Sequence, residues 1–461
     1  MLFALGLRLG VVWSQFGLLS EDRDHYLGIA RQIVSGCGYC SPATGLPTAD
    51  RPPAYPLLLA AILALQGGPA AMGLLQVLLG VLTVWLTMRL AQQFGSRTGW
   101  FAGLILAADP LLLHSTALIM TETLAATLLA AWLWSLTGLL GAELFSVRPP
   151  LSAANLVGLT EAMLPAEYNQ SDHSPSRGAS PGSTCSGSIR LLWAIGCGML
   201  AGLAVLCRPV FLPILLLFQL AGLLLWRRGT HPVWTCAAVW LGVGMILLPW
   251  TIRNAAVMGR PIVTSSHGGY TLLLAHNPVY DREVVFHPER RAWPGASLLA
   301  WQDELEHQIR TAEPAVNPDD ELARDDWMAA QAWQHLRSDP GRTLREAASL
   351  LLRFWSPSPI PAEGEARSRS AIWIVSAWYA VVFCLAIAGL VRLIRGRLWG
   401  PLAVLVLPLV GASLVHSLYW SDMRMRAPFG CCLALLVSIT LQPRLSSAAQ
   451  TDHSASPDES H

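Results

Sequence analysis

The chain has 461 residues, of which 53% are hydrophobic and 13% are charged. A soluble protein carries roughly a quarter charged residues, so this composition indicates a membrane protein. The formal net charge of +1 gives no electrostatic reason to expect a nucleic-acid partner. All 31 basic residues are arginine, which excludes Schiff-base lysines and the lysine of a P-loop nucleotide site.

Apolar runs recur along most of the chain and predict about ten membrane crossings. A crossing needs about 20 apolar residues, and about 17 are tolerated. The run at 54–66 is too short and follows a proline-rich turn, so we expect a re-entrant or interfacial helix there. The predicted crossings are 2–19, 69–93, 99–114, 118–141, 191–206, 209–226, 232–252, 371–391, 399–417 and 426–442.

These runs divide the chain into spans and polar segments. The segment at 143–190 is rich in Ser, Gly and Pro without periodicity, which predicts a disordered cytosolic insertion. The predicted units are N-terminal spans at 1–142 with a first outer loop at 20–56, the insertion at 143–190, central spans at 191–252, an extracytoplasmic element at 253–370, C-terminal spans at 371–445 and a loose tail at 446–461.

The arginines in the short connections predict the orientation, because basic residues accumulate on the cytosolic side. With a cytosolic N terminus, ten crossings place every such cluster inside. We therefore expect a multi-pass protein of the inner, cytoplasmic membrane whose polar site faces away from the cytosol. Arg8 lies in the inner half of the first run, so we expect either that it snorkels to the surface or that the true start lies upstream. The clusters are Arg89 with Arg97, Arg227 with Arg228, and Arg392, Arg395 and Arg397.

The first outer loop begins with two closely spaced acids, Asp22 and Asp24, followed by a segment of helical periodicity. A helix dipole favours carboxylates at its N terminus, so capping is the simpler interpretation of the pair. The alternative is that one of them takes a proton from an incoming hydroxyl as a general base.

Other polar residues reach the same face from later points of the chain. Each alone also fits an interfacial anchor or a charge that ends a span. Arg208 lies in a tight turn near membrane depth, where an unpaired charge costs about 2.5–3.5 kcal/mol at the centre, so we expect an anionic partner. Arginines beside acids fit a lipid-linked phosphate, because guanidinium groups match phosphate oxygens. The residues are Arg51, Glu122, Arg208, Arg253, Asn254, His416, Arg424 and Arg426.

At these positions the sequence resembles the family 39 glycosyltransferases, in the superfamily of protein O-mannosyltransferases and lipid A aminoarabinose transferases. In the first of five stretches, Asp22 stands four residues before Tyr26, and Gly-x-Gly-Tyr and Arg-Pro-Pro-x-Tyr-Pro motifs follow. Cys37 and Cys40 could form a redox pair, but Cys37 is also the middle residue of Gly-x-Gly-Tyr, which favours coincidence. The other four stretches are 109–124, 203–209, 248–259 and 424–428.

The resemblance implies a GT-C-like membrane helix bundle and an inverting transferase with a polyprenyl-phosphate sugar as donor. The acceptor would be a lipid, glycan or protein hydroxyl. Asp22 falls on the catalytic base, with Asp24 as its nearest competitor, and Glu122 on the second acid. The candidate ligands of the donor phosphate are Arg51, Arg208, Arg253, Arg424 and Arg426, and the further site candidates are Tyr26, Tyr55, Asn254 and His416.

The resemblance leaves a divalent metal open, with Asp22 and Glu122 as its ligands, and implies no other cofactor. Arg23 stands where the family often has a second acid, which puts the metal in doubt. The rival interpretation is a transporter or flippase without transferase chemistry. Transporters place ionisable residues near the bilayer midplane and often contain repeats. Here the runs are almost free of charge and no repeat is evident, so the transferase is favoured over the transporter and over an inactive relative.

Overall fold

The computed structural model describes residues 1–94, 99–140, 183–225, 231–287, 291–313, 315–360 and 368–442. Most of the predicted insertion and the whole predicted tail lie outside these residues, as do Arg97, Arg227 and Arg228. Within the described part the chain is helical and contains no strand, which confirms the all-α prediction.

The N-terminal half builds the first outer loop between helices. A 3-10 turn, Phe16–Ser20, leads from α1 into the loop. Helix α2 lies within the loop, and α3 begins at its end. The helices are α1 Leu2–Ser14, α2 Tyr26–Val34, α3 Ala54–Ala64, α4 Pro69–Gln93, α5 Gly99–Ala107, α6 Pro110–Ser115, α7 Glu122–Leu140, α8 Ser183–Cys207 and α9 Phe211–Leu225.

The C-terminal half contains the predicted outer element and the last spans. A helical turn at Pro278–Tyr280, a π turn at Asp281–Val285 and a 3-10 turn at Met423–Phe429 lie between helices. The helices are α10 His231–Met258, α11 Gly268–Ala275, α12 Gly295–Arg310, α13 Glu321–Ser338, α14 Pro340–Phe354, α15 Arg369–Arg395, α16 Trp399–His416 and α17 Gly430–Thr440.

Seven segments in the described residues are long and apolar enough to cross a bilayer, which confirms a polytopic membrane fold. Three further apolar helices, α1, α3 and the described part of α9, have between 10 and 17 residues. Among them α3 is the helix predicted to be re-entrant or interfacial. The seven segments are Pro69–Gln93, Glu122–Leu140, Ser188–Cys207, Val233–Met258, Arg369–Arg395, Trp399–His416 and Met423–Thr440.

The run predicted as one crossing at 99–114 is divided into α5 and α6. Pro110 has no N–H to continue α5, and it stands at the first position of α6, where none is needed. Asp109 caps α6, because its Oδ1 accepts a hydrogen bond from the Leu112 N–H at 3.0 Å. The next helix begins at Glu122, four residues later than the predicted run at 118.

Close helix contacts depend on glycine. A Cβ at Gly198 of α8 would lie 2.0 Å from the Val239 carbonyl oxygen of α10, and one at Gly242 would lie 2.1 Å from the Ile195 carbonyl oxygen. Small residues let helix backbones approach in membranes, where the van der Waals contact between helices supplies much of the stability.

Arg8 is fully buried, so the prediction that it snorkels is wrong. Its Nη1 donates to the Thr116 Oγ1 at 2.7 Å and to the Leu112 carbonyl oxygen at 3.2 Å. Gly80 of α4 leaves the space for it, because a Cβ there would lie 2.5 Å from the Arg8 Nε. The guanidinium thus finds hydrogen-bond acceptors inside the helix bundle.

The outer element between α10 and α15 has an apolar core of its own, built on α11 to α14. Tyr280 and Trp293 pack at 5.4 Å between ring centroids, and Trp293 and Trp301 at 5.3 Å. Trp420, from the turn after α16, packs against Tyr280 at 5.5 Å. The outer element is therefore in contact with the last outer turn, which is the segment 417–422 between α16 and the 3-10 turn at Met423–Phe429.

Candidate active site

Glu122 is the centre of an ion cluster at the beginning of α7. Its side chain is fully buried. The Oε1 atom lies 3.4 Å from the Arg208 Nη2 and 3.4 Å from the Arg424 Nε, so one carboxylate oxygen serves two guanidinium groups. The Oε2 atom is buried and has no hydrogen-bond partner among the described residues. The N terminus of α7 favours the negative charge there.

Arg208 and Arg424 carry more positive charge than Glu122 neutralises. Their side chains are 15% and 31% exposed, so both remain within reach of a ligand. Among the described residues, the other hydrogen-bond acceptors of these guanidinium groups are the sulfur atoms of Met425, 3.3 Å from the Arg208 Nη2, and of Met120, 2.9 Å from the Arg424 Nη1. Thioether sulfur is a weak acceptor. The two guanidinium groups therefore retain hydrogen-bonding capacity for an anion.

The first outer loop brings Arg51 and Tyr26 to this cluster. The Arg51 Nε donates to the Asp24 carbonyl oxygen at 3.0 Å, and its guanidinium lies 5.8 Å from the centre of the Tyr26 ring. Burial raises the pKa of Tyr26 to about 12, and the charges of Arg51, Asp24, Arg208 and Glu122 all act on its hydroxyl. These side chains from separate parts of the sequence therefore form one electrostatic site.

Tyr55 packs against Tyr26. The two rings make an edge contact with centroids 5.4 Å apart. The Tyr55 hydroxyl accepts a hydrogen bond from the Gln76 Nε2 at 2.8 Å, and Gln76 also donates to the Leu118 carbonyl oxygen at 2.8 Å. Gln76 thus ties α4 to the segment that precedes Glu122. Its amide inside an apolar helix was a signal that the sequence analysis passed over.

The two acids of the first loop have different environments. Both Asp22 oxygens accept backbone hydrogen bonds, from the Leu27 N–H at 3.0 Å and the Gly28 N–H at 2.6 Å. The capping interpretation therefore describes Asp22 well. The Asp24 carboxylate is half-buried and makes no hydrogen bond or ion pair with any residue that the structure describes. It lies within electrostatic reach of Tyr26 and Arg424.

Arg253 and Asn254 lie outside the ion cluster and hold the first loop. The Arg253 Nη1 donates to the Thr48 carbonyl oxygen and its Nη2 to the Tyr39 carbonyl oxygen, both at 2.7 Å. Asn254 accepts from Arg253 at 2.9 Å and donates to the Ile262 carbonyl oxygen at 2.9 Å. The guanidinium of Arg253 is thus committed to backbone oxygens.

The guanidinium of Arg426 also binds backbone carbonyl oxygens and does not contact Glu122. It is 1% exposed, donates to the carbonyl oxygens of Phe354 and Ser356, and lies 4.6 Å from the centre of the Tyr379 ring. His416 is also buried, stacks on Phe354 with centroids 5.1 Å apart, and its Nδ1 lies 3.2 Å from the Trp420 carbonyl oxygen. Of the five predicted arginines, Arg208 and Arg424 contact Glu122. Arg51 lies beside Tyr26 and pairs with Asp50 at 3.5 Å.

Glu321, which the sequence analysis missed, fastens the first loop to the outer element. It accepts hydrogen bonds from the Thr48 Oγ1 at 2.5 Å, the Ala49 N–H at 2.9 Å and the Ser266 hydroxyl. Asp50, next in the loop, lies 2.7 Å from the His267 Nδ1. Burial would raise the pKa of Asp50, but the bond to His267 and the charges of His267 and Arg51 outweigh it and lower that pKa.

Asp22 and Glu122 do not fit a divalent metal. The oxygens of Asp22 already accept two backbone N–H groups, and Glu122 faces two guanidinium groups that would repel a cation. The Cys37 and Cys40 thiols are both free. The site is therefore suited to an anion.

Comparison with known proteins confirms the predicted resemblance over part of the chain. Residues 50–149 match the sequence model of the dolichyl-phosphate-mannose-protein mannosyltransferase family. The matching stretch contains Arg51, Tyr55 and Glu122. No curated protein matches the sequence.

Three solved structures are similar to the chain. ArnT from Cupriavidus metallidurans bound to undecaprenyl phosphate is 17% identical, with a TM-score of 0.38, over 95% of this chain and 77% of that one. Its apo state is 16% identical with a TM-score of 0.37. The archaeal oligosaccharyltransferase AglB from Archaeoglobus fulgidus is 12% identical with a TM-score of 0.45, over 90% of this chain and 45% of that one.

Proposed function

We propose that the protein is a membrane glycosyltransferase that moves a sugar from a polyprenyl-phosphate donor to a hydroxyl acceptor on the extracytoplasmic side. The observation that carries the proposal is that Arg208 and Arg424 share the buried acid Glu122, and that the charge of Arg51 acts on the same tyrosine hydroxyl as these three residues. The family match over residues 50–149, which includes two of these four residues, supports the transferase class.

The donor phosphate would bind between the partly exposed guanidinium groups of Arg208 and Arg424. Each can donate two hydrogen bonds to phosphate oxygens, and their positive charge would stabilise the charge that grows on the phosphate as it leaves. Glu122 holds both arginines in place through one oxygen before the donor arrives. Because the two guanidinium groups are already in position, the site does not have to rearrange during the reaction.

Asp22 is the proposed general base. Its carboxylate is fixed by the Leu27 and Gly28 N–H groups and is half-exposed, so each oxygen keeps a lone pair for the acceptor. The acceptor oxygen attacks the anomeric carbon and the bond from that carbon to the donor phosphate breaks. The acceptor proton goes to Asp22 and polyprenyl phosphate leaves with inversion. Asp24 is the alternative base, because its carboxylate makes no hydrogen bond or ion pair with the residues that the structure describes.

The arginines in the short connections between helices support the extracytoplasmic location of the site. Arg89, Arg392 and Arg395 lie at the C-terminal ends of α4 and α15, whereas Glu122 begins α7 and Arg208 follows the end of α8. Since basic residues favour the cytosol, the end of the bundle that carries Glu122 faces the other side.

The test is transfer of radiolabelled sugar from a polyprenyl-phosphate donor to envelope acceptors in membranes that contain the protein. We expect Asp22→Asn to lower the rate by at least about a hundredfold, the usual scale of general-base catalysis, while expression and binding of polyprenyl phosphate persist. If Asp24→Asn removes turnover and Asp22→Asn only weakens it, the base is Asp24. Uptake of the donor into vesicles without transfer would identify a transporter and overturn the proposal.

A further inference from the structure

A histidine of the outer element lies beside Arg51 of the first outer loop. The Nδ1 of His267, the residue directly before α11, lies 2.7 Å from the Asp50 Oδ1. The other oxygen of that carboxylate lies 3.5 Å from the Arg51 Nε. One carboxylate therefore separates His267 from Arg51, whose charge acts on the hydroxyl of Tyr26.

The contact with Asp50 leaves one nitrogen of His267 for a ligand. Burial would raise the pKa of Asp50, but the bond from His267 and the nearby positive charges outweigh it, so the carboxyl is ionised. An ionised carboxylate only accepts hydrogen bonds, so the Nδ1 carries a proton and donates it. The Nε2 makes no hydrogen bond with any residue that the structure describes, and the side chain is 21% exposed. The imidazole is thus oriented through one nitrogen and presents the other.

The first outer loop does not need this imidazole in order to be attached to the outer element. The Ser266 N–H donates to the Ala49 carbonyl oxygen at 2.9 Å. Glu321 accepts from the Ala49 N–H at 2.9 Å and from the Thr48 Oγ1 at 2.5 Å. These bonds already fix the loop, so a partly exposed His267 with a free nitrogen points to a second role.

Tyr270 adds a further hydrogen-bonding group on the same side. Its ring lies 5.0 Å from that of His267 between centroids. The Gln302 Nε2 donates to the Tyr270 hydroxyl at 2.8 Å, and the proton of that hydroxyl has no acceptor among the described residues. The charges of Arg51 and Asp50 act on this hydroxyl, which places it near the same loop.

A hydroxyl group is the ligand that these side chains fit. A hydroxyl both donates and accepts, so it can donate to the Nε2 of a neutral His267 or accept from a protonated one. The contact therefore does not depend on the protonation of the imidazole. A phosphate fits less well, because the ionised Asp50 carboxylate directly behind the imidazole would repel an anion.

We propose that His267, with Tyr270 beside it, forms the acceptor subsite and binds a hydroxyl of a glycan acceptor. This inference deepens the proposed function and rests on it. The bound hydroxyl is not the one that reacts, because the proton of the reacting hydroxyl goes to Asp22 and an N–H donated to its oxygen would weaken the attack. The acceptor must then carry at least two hydroxyl groups, which a sugar has and a serine or threonine side chain lacks.

Two substitutions of His267 separate binding of the acceptor from attachment of the loop. Asparagine has an amide nitrogen in the place of the Nδ1, so His267→Asn keeps the bond to Asp50 and loses the Nε2. The amide of glutamine reaches the place of the Nε2, so His267→Gln keeps a group for the acceptor and loses the bond to Asp50. A subsite therefore predicts weaker acceptor binding in His267→Asn than in His267→Gln, whereas a purely attaching role predicts the opposite order.

The assay measures transfer of radiolabelled sugar from a polyprenyl-phosphate donor to an envelope glycan extract, with donor and extract varied in turn. We expect His267→Asn to raise the apparent KM for the extract about tenfold, the usual scale of one hydrogen bond, without changing the KM for the donor or the thermal unfolding. The control is His307→Asn, at an exposed histidine of α12, which should behave as the wild type. An unchanged KM in His267→Asn, or weaker acceptor binding in His267→Gln, would overturn the subsite. Label found on serine or threonine of a protein instead of a glycan would do the same.

Chemical modification of histidines tests the subsite without transfer. Diethyl pyrocarbonate reacts with exposed neutral imidazoles, which are present at some pH between about 6 and 9, and mass spectrometry of the full-length protein locates the products. We expect modification of His267 and its protection by the glycan extract but not by polyprenyl phosphate. His276 should stay unmodified, because it is buried and its Nε2 lies 2.6 Å from the Leu418 carbonyl oxygen. If the extract protects His267 and the wild type transfers no sugar, the proposed function fails and the subsite stands; without protection, the subsite fails.

Discussion

Replacing Glu122 with glutamine tests the central ion cluster, because it removes the charge and keeps the shape. At 3.4 Å and an effective dielectric constant of about 20, each contact with Arg208 and Arg424 is worth about 5 kcal/mol before desolvation. Removing one partner of a buried pair costs about 3–5 kcal/mol net. Glutamine keeps an acceptor oxygen, and both arginines retain some exposure. We therefore expect a loss of about 3 kcal/mol in the free energy of unfolding.

A bound phosphate should compensate for the missing carboxylate. Polyprenyl phosphate would supply negative charge to Arg208 and Arg424, so ligand binding should stabilise Glu122→Gln more than it stabilises the wild type. Thermal unfolding in detergent, with and without polyprenyl phosphate, measures both effects. The exposed Glu313→Gln is the matched control and should behave as the wild type. If Glu122→Gln unfolds with the control, or if the lipid phosphate stabilises it less than the wild type, the anion-site reasoning is refuted.

Two further substitutions test separate parts of the structure. Arg208→Lys keeps the charge and loses the planar guanidinium, so kcat/KM for the donor should fall about tenfold or more. The control, Arg310→Lys at an exposed position, should leave kcat/KM unchanged. Equal values of kcat/KM for the two variants would show that Arg208 does not bind the donor phosphate. Gly80→Ala places a Cβ 2.5 Å from the Arg8 Nε, and unfolding should show a loss of about 1–3 kcal/mol from overpacking. Unchanged stability would show that Arg8 does not depend on this space.

The sequence predicted the parts of the molecule that follow from polarity. Apolar runs predicted the seven described segments that are long enough to cross a bilayer, although the run at 99–114 forms two helices. The short proline-led run at 54–66 forms α3. The cost of an unpaired charge near the membrane predicted an anionic partner for Arg208, and Glu122 is that partner at 3.4 Å. These inferences needed only the chemistry of single residues and the length of a bilayer.

The roles of Arg253 and Arg426 could not be read in the same way. Both bind backbone carbonyl oxygens of distant segments, at Thr48 and Phe354. Every residue has a carbonyl oxygen, so no sequence pattern marks these partners. For the same reason the sequence did not predict the contact between the His276 Nε2 and the Leu418 carbonyl oxygen, which lie 2.6 Å apart. Motifs gave the types of residue at the site, and long-range backbone contacts decided which arginines are free to bind an anion.

The buried Arg8 has a consequence for the order in which the protein assembles in the membrane. Alone in lipid, α1 would expose an arginine that costs about 2.5–3.5 kcal/mol at the bilayer centre, and with 13 residues it has little apolar length to offset this. The hydrogen-bond acceptors of Arg8 belong to α6 and to the residue that follows it. The space that the Arg8 side chain occupies is left by Gly80 of α4. Helix α1 therefore reaches its final depth only after at least a hundred later residues have been synthesised and packed beside it.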